Sequence, residues 1–342
     1  MDESPARPEP DRGAARQGAA GTGAANRRWR AIGTRALQIA LTVLVTWAIF
    51  RAVGVSLDDL RGLDSSRWRP RPGWFVASCA LLLTGYLVSA ALWARMVREM
   101  GGAALGSAAG VRIYFIANLG RYIPGKLWQI AGLAALARRE GVPASVATAA
   151  AVLGQGMALV GATLIGLGTL LQARGPWRAW GVAIVAVAVA GVVVASVPGA
   201  FRKITGLWFR LARTPEPEDI RPGPAFALGW VGLYTVNWAI YAASFWLLVK
   251  SFQLPATLFE AAPAFAAAYV IGYAFLPAPA GVGVREGALV AFLGPVVGVA
   301  TATALALVAR LWTTGVEVVP AAAFWIAHVT GGASSPGSGE RP

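Results

Sequence analysis

Two residue types are almost missing: the 342-residue chain has one cysteine, Cys79, and one histidine, His328. A single cysteine excludes an internal disulfide framework, and these two residues cannot supply the ligands of a cysteine–histidine metal site. They also leave no Ser-His or Cys-His nucleophile arrangement. Both fall in apolar runs and read as packing residues. Charge is scarce as well. Asp, Glu, Lys and Arg make up 13% of the chain, where soluble domains carry about 25%. Acids are the rarer sign, 16 against 30 basic residues, giving a formal net charge of +14. The basic residues sit largely at the ends of apolar runs. That pattern fits positive-inside topology and excludes a nucleic-acid-binding surface as the reason for the charge.

What is abundant is hydrocarbon. Apolar residues make up 56% of the chain, so the expected class is an all-α, polytopic membrane protein. Residues 1–30, rich in Ala, Gly, Pro and Arg, read as a disordered cytoplasmic tail, and residues 331–342 as a second tail. Apolar runs at 31–50, 73–94, 144–171, 179–198, 225–249, 298–313 and 316–330 predict about seven full spans. The segment 201–213 has Phe201, Ile204, Trp208 and Leu211 at helical spacing with basic residues between them, as in an interfacial helix. The fourteen tryptophans, Trp29, Trp177 and Trp180 among them, read mostly as interfacial anchors.

Two apolar segments are interrupted. The first, 107–137, breaks at Asn118-Leu-Gly-Arg-Tyr-Ile-Pro-Gly-Lys126; the second, 257–296, breaks within Phe275-Leu-Pro-Ala-Pro-Ala-Gly-Val-Gly-Val-Arg-Glu286. The arms of the first are only about 12–15 residues, roughly 18–22 Å, too short for a core of about 30 Å. A re-entrant hairpin fits, entered from the cytoplasmic side at the first break and from outside at the second. Unpaired backbone in hydrocarbon costs several kcal/mol per group, so such breaks persist only inside protein or beside a wet cavity. The layout predicts an inverted-topology repeat, a first unit 73–198 and an inverted second unit 225–330.

Each break opens a short helix whose N-terminus favours an anion. Arg121, Tyr122, Pro124, Gly125 and Lys126 at the first break, and Gly281, Gly283, Arg285 and Glu286 at the second, are the candidate binding residues, with Arg310 as a further one. Arg285 and Glu286 are expected to pair. Glu317 and Arg112 fall near expected span ends, where snorkelling accounts for them. A proline–glycine kink alone, or an Arg–Glu pair alone, is equally consistent with plain packing. Their recurrence at matching places favours a site for an anionic head group, phosphate being the best candidate.

Arg121-Tyr-Ile-Pro-Gly-Lys-Leu-Trp128 and Pro279-Ala-Gly-Val-Gly-Val-Arg-Glu286 resemble the paired motifs of the lysylphosphatidylglycerol synthase transmembrane-region family. Where that family usually shows Pro-Gly-Gly, this chain has Pro279-Ala280-Gly281. The resemblance, over roughly 31–330, implies two re-entrant helices around a central cavity and lipid translocation. About twelve residues follow the last expected span, so aminoacyl transfer is not expected of this chain. The expectation is a non-enzymatic flippase or head-group transporter of the inner (cytoplasmic) membrane, without cofactor, acting on lipids with anionic or phosphate head groups. Two alternatives stand beside it. One is a subunit presenting such a lipid to a separate membrane transferase; the other is a transporter of a small soluble anion.

Overall fold

A computed structural model of the chain describes residues 68–101, 105–122, 127–197, 224–275, 281 and 283–331, with isolated positions between 199 and 210. The expected tail 1–30 and first span 31–50 lie outside the described residues. The interfacial segment 201–213 and the tail 331–342 meet them only at single positions. The described residues form helices and no strand. In chain order these are α1 (Pro72–Glu99), α2 (Ser107–Asn118), α3 (Leu127–Arg139), α4 (Ala144–Leu171), α5 (Pro176–Ser196), α6 (Pro224–Ser251), α7 (Leu258–Ala274), α8 (Val284–Val297) and α9 (Val299–Gly331). A short 3-10 turn, Leu119–Tyr122, extends α2.

Helix starts follow from local chemistry. Proline opens α1, α5 and α6, where its missing N–H is one the helix could not have used. At α7 the backbone N–H and the hydroxyl of Thr257 both donate to Glu260, at 2.8 and 2.7 Å, as in a capping box. Five helices, α1, α4, α5, α6 and most of α9, are long and apolar enough to cross a membrane. The other four have 12, 13, 17 and 14 residues. At about 1.5 Å per residue none reaches across a core of about 30 Å, and tilt would only shorten its reach.

These four make two antiparallel hairpins. In the first, Gly132 of α3 sits on Ala117 of α2, and Gly120 sits against the backbone of Trp128 and Gln129. In the second, Gly272 of α7 lies against Arg285 of α8. One expectation is corrected here. The two last spans, 298–313 and 316–330, are a single 33-residue helix, α9, with Pro320 inside it. Where the expected spans divide, the Thr313 hydroxyl donates back to Ala309 O at 2.9 Å and the helix continues.

The long helices approach closely because their contact faces carry small residues. On α4, a Cβ at Gly161 would lie 2.9 Å from the backbone N of Thr235 on α6, and one at Gly166 would lie 2.8 Å from that of Ala267 on α7. Helix α1 runs antiparallel to α6. Arg71 N–H donates to Ser251 O at one end, Ser89 meets Tyr241 in the middle, and Glu99 accepts from Trp230 Nε1 at the other. Exchanging α1–α4 for α6–α9 in order maps the contact pattern onto itself: α4 packs on α7 as α9 packs on α2, and α4 on α6 as α9 on α1. Helix α5 has no counterpart among the described residues and lies against α4, α6 and α7.

Two apolar cores result. One gathers around α2 and α3 with Trp93, Met96 and Leu133; the other around α7 and α8 with Phe245 stacked on Phe265 at 4.5 Å. Tryptophan is used differently from expectation. Trp180 is 39% exposed, as an anchor should be, but Trp93, Trp230, Trp238 and Trp312 are at most 5% exposed. Their bulk fills the bundle instead.

Candidate functional site

Between the two cores lies a cavity of about 170 Å³, reached by the inner ends of both hairpins and by α1, α4, α6 and α9. Its lining is unlike the rest of the bundle. Arg121, Arg285 and Arg310 reach it, with Glu317 as its one acid among the described residues. The hairpins bring these groups to the centre because their apolar arms end where the backbone turns. Gly281 makes that turn possible at the second break. Its φ is +67°, which disfavours any side chain, and a Cβ there would lie 2.6 Å from Gly272 O.

Helix α8 starts at once after Gly283, whose φ is +83°. The Gly283 N–H donates to Glu286 Oε2 at 2.7 Å, while Glu286 Oε1 lies 3.6 Å from an Arg310 guanidinium nitrogen. Glu286 thus occupies the helix start where the sequence places a ligand's charge, and it holds Arg310 toward the cavity from behind. The expected Arg285–Glu286 pair does not form. Successive helical residues project about 100° apart and do not face each other. Arg285 lies instead over the ring of Phe265, 4.9 Å from its centroid, and 5.7 Å from that of Tyr269, both on α7. No carboxylate among the described residues lies within salt-bridge distance of it.

Arg121 leaves the 3-10 turn toward α9, and its Nε lies 3.3 Å from Glu317 Oε1. This corrects the reading of Glu317 as a snorkelling residue. It is 1% exposed and sits at the middle of α9, not at a span end. Arg112 is also paired, with Glu140 at 2.6 Å across the mouth of the first hairpin. At the inner end of that hairpin, Gln129 of α3 donates to Asn118 of α2.

Of the sequence-predicted residues, the structure therefore brings Arg121, Gly281, Arg285 and Arg310 together at the cavity. Gly283 and Glu286 stand behind it as supports. Pro124, Gly125, Lys126 and the side chain of Tyr122 lie outside the described residues.

Sequence reasoning named Tyr122 but passed over the other tyrosines. Six of the chain's seven line this one cavity: Tyr86 from α1, Tyr114 from α2, Tyr234 and Tyr241 from α6, Tyr269 and Tyr273 from α7. They join a polar seam in which Asn237 Nδ2 donates to Ser89 Oγ at 2.6 Å and Ser89 Oγ lies 2.9 Å from Tyr241 Oη. The signal was present as polar residues at helical spacing inside apolar runs: Tyr234, Asn237 and Tyr241, then Tyr269 and Tyr273, then Thr313 and Glu317.

Together these features make a polar, cationic chamber within an apolar bundle, suited to a ligand with negative charge and hydrogen-bonding groups. No curated protein matches the chain closely enough to count as a relative. Residues 59–321, well over half of it, match the family model described as lysylphosphatidylglycerol synthase TM region. With that match spanning both hairpins and every charged residue of the cavity, the chain belongs to this family of multi-pass membrane proteins.

Proposed function

We propose that the chain is a transporter, not an enzyme, which moves a lipid with an anionic, phosphate-bearing head group across the cytoplasmic membrane. One observation carries this reading: three arginines and one glutamate share a cavity lined by tyrosines in the middle of an apolar bundle. A charged head group crossing hydrocarbon alone meets a large desolvation cost, and a polar chamber of opposite charge lowers it. The tails need not enter, because the outer faces of the spans are apolar.

Leaflet exchange of labelled lipids in proteoliposomes tests the proposal. Phosphatidylglycerol and polyprenyl phosphate should exchange faster than in empty liposomes, and phosphatidylcholine much less. Arg285→Gln should slow exchange about 10–100-fold, since a hydrogen bond to a charged group contributes about 1.5–3 kcal/mol. Arg285 holds no carboxylate among the described residues, so this change leaves no orphaned acid and the protein should still fold. No exchange of any lipid, with a driving gradient supplied, would leave the reading as a partner subunit for a membrane transferase.

The same proposal holds that the two units are inverted in the membrane. The antiparallel run of α1 along α6 and the exchange of contacts between halves support it. In a Cys79→Ser background, Gly106→Cys and Arg139→Cys should label with an impermeant thiol reagent from the cytoplasmic side. Thr257→Cys and Val299→Cys should label from outside. Labelling of all four from one side would refute the inversion.

A further inference from the structure

The three arginines belong to one side of the cavity. They enter from the turn of the first hairpin, from α8 and from α9, whereas α1, α4 and α6 bring it no charged residue among those described. Those three helices bring uncharged polar groups instead: Ser89, Gln155, Tyr234, Asn237 and Tyr241. Neutral polar groups inside an apolar bundle are costly unless their hydrogen bonds are made. Here they are not all made.

Donors and acceptors can be counted along the seam. Asn237 is 1% exposed; its Nδ2 donates to Ser89 Oγ at 2.6 Å, and its Oδ1 has no partner. Ser89 Oγ and Tyr241 Oη lie 2.9 Å apart and need one hydrogen between them, so one of their two hydroxyl hydrogens is left over. Tyr114 also directs its hydroxyl at Ser89, but it brings its own hydrogen and the surplus stays. The seam thus keeps one acceptor, Asn237 Oδ1, and one hydroxyl donor unused. A hydroxyl group both donates and accepts, and so complements the two at once. A phosphate only accepts and would leave Asn237 Oδ1 bare, while an ammonium only donates and would leave the hydroxyl hydrogen bare.

We propose that this seam is a second subsite, which takes a hydroxyl of the head group while the arginines take its phosphate. The inference rests on the anion-binding reading above and names its substrate class: a phosphodiester lipid whose head group carries free hydroxyls, as a glycerol or a sugar does. The two subsites share a wall. The Tyr241 ring lies 5.5 Å from that of Trp238, Trp238 lies 4.6 Å from Tyr269, and Tyr269 lies 5.7 Å from the Arg285 guanidinium. Asn237 is the specificity-determining residue in this arrangement, since a guanidinium does not distinguish one phosphodiester from another.

The test is the binding of two short-chain lipids to the purified full-length protein, in a polyoxyethylene detergent, which has no sugar head to compete. Phosphatidylglycerol and phosphatidylmethanol carry the same singly charged phosphodiester, and only the first has hydroxyls. Phosphatidylglycerol should bind about tenfold tighter, as two modest hydrogen bonds imply. Asn237→Leu, close in size, should erase that preference; a mere folding defect would weaken both lipids alike and leave the ratio in place. If Asn237→Leu does not fold, phosphatidylglycerol with both hydroxyls methylated decides on the wild-type protein. It keeps the bulk and loses the donors, so it should bind no better than phosphatidylmethanol, and tight binding of it overturns the proposal. Equal wild-type affinities for the two lipids, or a preference that survives Asn237→Leu, overturn the hydroxyl subsite and leave the anion site standing. Glycerophosphoglycerol, the same head without tails, should compete only at far higher concentration; competition at the lipid's own concentration overturns the lipid as ligand. Failure of both lipids to bind overturns the anion site itself.

Discussion

Glu286→Ala should lower the stability of the folded protein by about 3 kcal/mol, the lower end of what breaking one side of a buried ion pair costs. The lower end applies because Arg310 is 21% exposed to the cavity. The variant removes the carboxylate used both by the Gly283 N–H, at 2.7 Å, and by Arg310, at 3.6 Å. The first unit of α8 would lose its cap at a place where water cannot replace it. Thr257 and Glu260 provide the control, a similar cap at the start of α7 but at an exposed site. Glu260→Ala should therefore cost only about 1 kcal/mol. Thermal unfolding of the two variants in the same detergent compares them. Equal shifts would mean that the buried position of Glu286 adds nothing, and the account of the second break would be wrong.

Gly166→Leu should be as damaging for a different reason. A Cβ at Gly166 would lie 2.8 Å from the backbone N of Ala267, and a backbone atom cannot swing aside as a side chain can. The helices α4 and α7 must part, taking the second hairpin away from the cavity. Overpacking of this kind costs typically about 1–3 kcal/mol, and with the whole leucine side chain at a backbone contact the upper end applies. Gly168, one residue beyond the next on the same helix, has nothing within 4 Å of its Cβ position. Gly168→Leu should be tolerated with little change in melting temperature. A Gly166→Leu protein that melts like the wild type would show that α4 and α7 are not in the close contact described.

Much of this arrangement was legible because broken helices in hydrocarbon leave a composition that nothing else does. Proline, glycine and arginine between apolar arms marked both hairpins, and Arg121, Arg285, Arg310 and Gly281 do meet at one cavity. What stayed hidden depended on direction, which spacing alone does not give at adjacent positions. Arg285 and Glu286 are neighbours in sequence but point to different partners, one to aromatic rings and one to a backbone N–H and Arg310. Glu317 was misplaced because the apolar run was divided between 313 and 316, so the one long helix became two spans and its central carboxylate fell near an end. Tyrosine, polar at one tip and apolar elsewhere, gave no contrast against apolar runs until the helices stood around one space.

A ribosome delivers this chain from its N-terminus, and the ion pair across the cavity joins an early segment to a late one. Arg121 closes the first hairpin, whereas Glu317 belongs to α9, the last of the described helices in chain order. During synthesis the arginine must wait for its carboxylate while α4 through α8 are inserted. Helix α7 has no such delay, since α4, α5 and α6, on which it leans, precede it, whereas Glu286 of α8 also waits for Arg310 of α9. A chain cut short before Glu317 would thus present the membrane's proteases with an arginine that its C-terminal partner never neutralised. Completion of α9 removes that signal and brings Glu317 to Arg121 in the same step.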